Sequence, residues 1–420
     1  VTVEETPASY PANEHANSPA DRMWAPGDRD WVAYVGPFRY PWGEAASRRV
    51  HGISMSLAAT GRDVVVASGE DSPTLIRRHL SNEKTSADIL SIGLDELPNA
   101  AESVVQKSRK VYLDWGQRTV RWLEAQQPKP SHVILYGGNL QYISRLSTWS
   151  KQANVPLIVD VVEWYSARQL QGGVLGPSYL GAQLALRKYY PKCAGIIAIS
   201  SMLERYYSDK GSPVLRIPPT FDVASIKIAD QREPLDERLR LVYTGTPGKK
   251  DSIGQIIKAV NHVDPSGKRV SLRVIGPSKE ELLKASGFSE LPASVLASGR
   301  LPQPEVSREL QEADFSVLLR KPAKFAQAGF PTKFVESISN GTPVIANTTS
   351  DLGLYLRDGV EGVVSASHST SEFEKALHKA ANLTSGEKQR MRHNARSRAV
   401  RDFDYRTYTT AIDGFLKSIV

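Results

Sequence analysis

Cysteine is almost missing from this chain: Cys193 is the only one in 420 residues. That excludes an internal disulfide framework and a metal site built on several thiolates. Long apolar runs are missing as well. No stretch approaches the ~20 consecutive apolar residues that span a bilayer. The opening segment VTVEETPASYPANEHANSPADR has no basic region followed by an apolar one, so no secretory signal is expected there. No Gly-X-Gly-X-X-Gly turn follows the first strand-like segment, which argues against a nicotinamide-dependent oxidoreductase. Zinc-finger, RNA-recognition and basic-zipper patterns are absent too, and nucleic acid is not expected as a partner. These absences predict a cytoplasmic chain.

What is present is ordinary in amount: 40% hydrophobic and 23% charged residues, as in a soluble globular protein. The length suffices for two domains with separate cores. The formal net charge is +8 and the pI near 9.3. The basic residues are spread out, with local groups at Arg48-Arg49, Arg77-Arg78, Lys107 with Arg109-Lys110, and Arg187-Lys188. Solvated helix faces, phosphorylated substrates or a peripheral contact at the inner face of a membrane all suit such a surface.

Strand and helix signals alternate. Trp31–Val35, Val64–Ala67, His132–Tyr136, Val155–Val162 and Gly195–Ile199 read as strands; 44–60, 104–125 and 180–190 read as helices. A charged stretch, IKIADQREPLDERLR over 226–240, reads as a linker. A second alternating unit follows, with strands at Leu241–Thr244, Ser271–Ile275, Phe315–Leu319 and Pro343–Ala346. The pattern predicts doubly wound α/β sheets. The expected organisation is an extension over 1–29, a first domain over 30–225, the linker, a second domain over 241–404, and a terminal helix over 405–420 packing back toward the first domain.

The most telling segment is FPTKFVESISNGTPVIAN, Phe330 to Asn347. Pro331 and Thr332 suit a helix start with Thr332 as N-cap, Lys333 falls in the first turn, and Gly341 is placed to end the helix. Val344-Ile345-Ala346 then reads as a buried strand. A helix start of this kind concentrates unpaired N–H groups and can hold a phosphate, and Glu336 is placed to accept from a ribose. The segment resembles the nucleotide-sugar region of retaining GT-B glycosyltransferases close to family 4. Other segments carry the resemblance in order: Tyr40-Pro-Trp-Gly-Glu44; Ala194 to Ser200 with Pro218 to Asp222; Thr244-Gly-Thr-Pro-Gly-Lys-Lys-Asp251; and Asp358-Gly-Val-Glu-Gly362.

The resemblance implies two Rossmann-like domains facing a cleft. It also implies sugar transfer from a nucleoside diphosphate donor to a carbohydrate or lipid-linked acceptor, with retention, in cell-surface polysaccharide or glycoconjugate synthesis. Donor contacts would come from Gly43, Gly245, Lys249, Lys250, Arg320, Pro331, Thr332, Lys333 and Glu336. Lys250 would also be catalytic, by stabilising charge on the departing diphosphate. Glu163 stands where many relatives have histidine. With Lys250 it is the second catalytic candidate, binding a sugar hydroxyl or the acceptor nucleophile, or else it is a strand-end carboxylate paired with an arginine. Trp164 and Tyr165 beside it suit a sugar platform. Ser200 is expected to cap a helix and not to act in catalysis. Two departures are plain: Thr246 replaces a family arginine, and Ala328 replaces the first of two family glutamates. They keep open the alternative of a non-catalytic GT-B-like partner of an active enzyme. Asp28-Arg-Asp30 and Asp402-Phe-Asp404 lack the setting of a metal-binding turn, so neither a metal nor a resident cofactor is expected.

Overall fold

The computed structural model describes residues 30–41, 45–72, 76–81, 86–167, 170, 172–228, 238–248 and 251–419. The chain forms two compact units. The N-terminal unit gathers the described residues up to Phe221 together with Ala328–Phe330 and those from Asp404 onward; the second unit holds Asp222–Gln327 and Pro331–Phe403.

The N-terminal unit is built on an eight-stranded sheet: β1 (Trp31–Val35), β2 (Asp63–Ser68), β3 (Ile76–Ser81), β4 (Ser86–Gly93), β5 (His132–Tyr136), β6 (Leu157–Val161), β7 (Gly195–Ala198) and β8 (Val214–Arg216). Their order is β3-β4-β2-β1-β5-β6-β7-β8. All neighbours run parallel except β3 and β4, which are antiparallel. This β3–β4 pair is not apparent in the sequence. Serines and arginines interrupt IRRHLS and SADILSIG, which hides the apolar run that marks the other strands.

The helix expected over 104–125 is broken. Val104–Arg109 is α-helical, Lys110–Asp114 is a wider turn, and Gln117–Ala125 forms a second helix. The break sits at Gly116, whose φ of +85° favours glycine. The buried Glu96 carboxylate takes the N–H groups of Gly116 and Thr119, each at 2.9 Å, and so satisfies the start of the second helix.

A buried ion pair ties this unit together. Arg49, from the Ala45–Ala58 helix, donates through Nη2 and Nε to Asp160 of β6 at 2.8 and 3.1 Å. Tyr34 of β1 donates to the same carboxylate at 2.5 Å, and Arg49 Nη1 donates to the carbonyls of Ile217 and Pro218 at 2.5 and 2.7 Å. Arg49 is 2% exposed and Asp160 fully buried. The pair therefore joins β1, β6, the first helix and the end of the sheet.

The Tyr405–Tyr408 turn and the Thr409–Ser418 helix complete the core of this unit. Ser56 donates to the Tyr405 carbonyl at 2.8 Å, and Ile412, Phe415, Leu416 and Ile419 lie among the core residues.

The second unit carries a six-stranded, all-parallel sheet: β9 (Leu239–Thr244), β10 (Val270–Ile275), β11 (Val295–Gly299), β12 (Phe315–Leu318), β13 (Val344–Asn347) and β14 (Gly362–Ser365), in the order β11-β10-β9-β12-β13-β14. Helices cover both faces. Leu241 and Tyr243 of β9 join one core cluster, while Val242 joins Val306 and Leu310 on the other side. Leu239 and Arg240 already belong to β9, so the strand starts inside the stretch that reads as linker; residues 229–237 of that stretch lie outside the described residues.

Asp160→Asn should lower unfolding stability by about 3–5 kcal/mol, because it leaves a buried guanidinium without its counter-charge. Urea denaturation checks this, and a change under about 0.5 kcal/mol would mean that solvent reaches Arg49.

Candidate functional site

In open parallel sheets ligands bind outside the carboxyl ends of the strands, where the strand order reverses. In the second unit that point lies between β9 and β12, because β9 is followed in sequence by β10 on one side while β12 lies on the other. The chain has little bulk there. Gly245 follows β9 at φ +89° and Gly276 follows β10 at φ +128°. A Cβ on Gly276 would sit 2.8 Å from the Gly245 carbonyl carbon, so the two turns meet backbone to backbone.

Four polar side chains converge at this edge. Lys333, in the first turn of the Thr332–Ser339 helix, donates to Asp251 Oδ2 at 2.7 Å and to the Tyr243 hydroxyl. Its ammonium also lies 4.0 Å from the centre of the Tyr243 ring. Tyr243 donates to the same Asp251 oxygen at 2.7 Å, and Arg320 Nε reaches Oδ1 at 3.3 Å. Arg320 is held by its own backbone: Asn347 accepts from its N–H at 2.8 Å and donates to its carbonyl at 2.9 Å, joining the ends of β12 and β13. The Lys333 stem crosses the face of Gly245, where an added Cβ would meet Cε at 3.0 Å.

The charges shift one another's protonation. Burial opposes ionisation of Asp251, but Lys333 and Arg320 outweigh it and hold the carboxyl down to about 2. Lys333 is also lowered: burial is the largest influence on its ammonium, and with the like charge of Arg320 it outweighs the pull of Asp251. The result is a fixed, partly desolvated group of two cations around one anion. Its excess positive charge lies beside a helix start, an arrangement that favours a phosphate.

Several expectations need correction. The helix begins at Thr332 itself, so Pro331 takes the cap position, and no side chain caps it. Trp164 is not an open platform: it is 5% exposed, Tyr206 meets its ring edge-on at 4.8 Å, and Arg187 lies 5.5 Å from its centre. Tyr165 is half-buried beside it. Arg320, for which surface placement is the default, is partly buried, its side chain 12% exposed.

Gly245, Arg320, Pro331, Thr332, Lys333 and Glu336 all fall in the second unit. Glu336 is buried on the Lys333 helix and accepts from Gln303 at 2.9 Å. Glu163 belongs to the N-terminal unit, two residues beyond β6, near Tyr136 and Tyr165. Gly43, Lys249 and Lys250 lie outside the described residues. Ser200 caps the Ser201–Ser208 helix through Leu203 N–H and donates to the Ala328 carbonyl at 2.6 Å. Asp402 is engaged by Arg398 at 2.9 Å, and Asp404 by Arg406 at 3.0 Å. Sequence reasoning missed Asp251 and Tyr243, although Asp251 closes the Gly-Lys-Lys-Asp run and an acid after two lysines was a usable signal.

Comparison with known proteins fits this geometry. Residues 225–398 match the family of glycosyl transferases group 1. No curated protein matches the chain in sequence. Among solved structures, sucrose-phosphate synthase from Thermosynechococcus elongatus is 13% identical with a TM-score of 0.69, covering 93% of this chain and 99% of its own. Anabaena HepE in complex with UDP and glucose is 16% identical with a TM-score of 0.61, covering 92% and 99%. The α,α-trehalose 6-phosphate synthase from Burkholderia multivorans is 13% identical with a TM-score of 0.63, covering 93% and 99%. The fold, as expected from the sequence, is GT-B: two Rossmann-like units, each on a largely parallel sheet.

Asp251→Asn should destabilise the protein at neutral pH by about 2 kcal/mol, the equivalent of the carboxyl's shift from its ordinary value. The folded-state pKa is depressed, so the carboxylate's contribution is complete above the unfolded value of 3.8 and is lost as pH falls toward about 2. Denaturant titrations of wild type and variant should therefore converge through that window. A difference that stays constant down to the lower limit would show that Asp251 is not held by charge.

Proposed function

We propose that this protein is a retaining glycosyltransferase of the family 4 kind. It transfers a sugar from a nucleoside diphosphate donor to an acceptor hydroxyl, in the synthesis of a cell-surface polysaccharide or glycoconjugate. The observation that carries the reading is the Lys333–Asp251–Arg320 cluster at the switch point of the second sheet. It lies inside the stretch that matches the group 1 family, and a structure of the same fold was solved with UDP and glucose.

In this reading the donor diphosphate lies against Gly245 and the start of the Thr332–Ser339 helix, where a side chain at Gly245 would stand in the way. Departure of the nucleoside diphosphate breaks the bond between the anomeric carbon and the β-phosphate oxygen, and negative charge builds on that oxygen. Lys333 and Arg320 stabilise it, with Lys249 and Lys250 in the role that the sequence assigns them. Asp251 keeps the two cations in place when no diphosphate is present and fixes the Lys333 rotamer. Glu336, oriented by Gln303, accepts from the ribose hydroxyls. The acceptor oxygen attacks from the face the leaving group vacates, and its proton passes to the departing phosphate, so no protein nucleophile is required. Glu163 and Gly43, in the N-terminal unit, serve the acceptor or the transferred sugar. Neither a metal nor a cofactor takes part, because fixed cations and a helix terminus neutralise the phosphate.

A second reading, a non-catalytic partner of an active enzyme, draws on Thr246 and Ala328. Thr246 is exposed beside Gly245, and Ala328 is fully buried. A donor screen that detects release of UDP, GDP or ADP, with soluble and lipid-linked acceptors, separates the two. Release of one nucleotide supports the enzyme; none from any donor supports the partner.

Lys333→Ala should weaken binding of the preferred nucleoside diphosphate by about 10- to 100-fold, as expected for a charge-assisted contact. Calorimetry measures it, and unchanged affinity would remove Lys333 from the donor site. Transfer should also persist in the presence of a chelator. Activity abolished by chelation, restored by manganese or magnesium and lost again in Asp402→Asn or Asp404→Asn would reverse the metal-free assignment.

A further inference from the structure

The N-terminal unit carries an apolar and basic surface that its own packing leaves uncovered. Val104 and Val105 are 79% and 77% exposed, Leu113 61%, and Leu175 86%; Val174, Leu180 and Leu184 are also exposed. They come from two segments distant in sequence, the Val104–Asp114 helical stretch and the Gly173–Leu184 stretch. Tyr112 and Ser178 join the two by a hydrogen bond at 3.0 Å, so the two exposed segments lie side by side. Val104–Arg109 buries no residue at all, although a capping box at Ser103 and Gln106 and the Lys110 contacts to Asp95 and Glu102 hold it in place. A stretch fixed in position that presents two adjacent valines to solvent is a surface for something else to cover.

The charge around the patch identifies what covers it. The stretches 104–121 and 173–192 hold eight lysines and arginines and a single acid, Asp114, whereas the whole chain has 53 basic and 45 acidic residues. From 164 to 203 there is no acidic residue. Lys110 is bound by Asp95 and Glu102, Arg118 by Asp95, and Arg109 by Asp114 at 3.3 Å. Arg187, Lys188 and Lys192 are exposed and have no carboxylate partner among the described residues. No helix among the described residues is long and apolar enough to cross a membrane, so the patch fits an interface and not a span. Aliphatic side chains bordered by lysine and arginine suit a bilayer of anionic phospholipid, where the apolar groups enter the headgroup boundary and the cations meet phosphates.

We propose that this patch docks the N-terminal unit on an anionic membrane surface. The inference rests on the glycosyltransferase reading for its consequence. Both segments follow the carboxyl ends of parallel strands, β4 and β6, the edge at which open sheets bind ligands. A unit docked by that edge receives an acceptor carried on a lipid, and the acceptor class is therefore lipid-linked.

The test is co-sedimentation of the full chain with vesicles of phosphatidylcholine alone and of phosphatidylcholine with phosphatidylglycerol. Binding is expected to the anionic vesicles and to weaken as salt is raised. The triple variant Val104→Ser, Val105→Ser, Leu113→Ser should lose about tenfold or more in partition. Arg187→Ser with Lys188→Ser should lose about fivefold for each cation removed at low salt. An unchanged melting temperature shows that the variants are folded, and an unchanged thermal shift with the nucleoside diphosphate shows that the donor site is intact. Equal binding to both vesicle types, full binding by the triple variant, or a concentration-dependent dimer abolished by that variant would overturn the proposal. Vesicle binding without any nucleotide binding would leave the surface standing and remove the glycosyltransferase reading instead.

Discussion

The second unit is organised around one carboxylate. Asp251 sits beyond β9 with a lysine from one helix, an arginine from the end of β12 and a tyrosine from within β9 all directed at it. Lys333 and Asp251 each make the other's burial tolerable. Lys333 is desolvated strongly enough to lower its pKa, and only the nearby anion keeps the penalty tolerable. Arg320 and Lys333 would repel each other with no intervening anion if the acid were removed. A net positive, pre-positioned cluster is the kind of environment that needs little reorganisation when charge develops on a phosphate.

The N-terminal unit uses the same chemistry for a different end. Arg49 and Asp160 also form a desolvated pair with a tyrosine attached, but every strong donor of Arg49 is directed at Asp160 or a backbone carbonyl. The pair is enclosed and neutral, so it joins strands and a helix without offering a charge to a ligand. The contrast separates a structural ion pair from a candidate site more reliably than burial does, since both carboxylates are almost wholly inaccessible.

How much of this was legible in the sequence depended on distance along the chain. Trp31–Val35 and His132–Tyr136 stand at their expected bounds because a strand buried on both faces is written as an unbroken apolar run. Local signals also found Ser200 as a cap and Gly341, at φ +69°, as the end of its helix. Roles set by long-range partners were hidden. Nothing in the sequence pairs Asp160 with Arg49, 111 residues away. Asp251 attracts no notice until Lys333, 82 residues on, reaches it. Trp164 followed the same rule: an aromatic after a strand is equally suited to a sugar or to a neighbouring tyrosine, and only packing decides.

The return of the chain to the N-terminal unit has a consequence for how the protein is made. Gly195 on β7 lies so close to the final residues that a single added carbon would come within 2.4 Å of Ile419 and 2.7 Å of Phe415. His132, at the start of β5, contacts the carbonyls of Leu416 and Ile419 at 3.1 Å each. Of the two units, the N-terminal one therefore emerges earlier from the ribosome and is finished later. β5 and β7 lack this cover until the second unit has been synthesised, and apolar surface left open during folding is prone to misassociation.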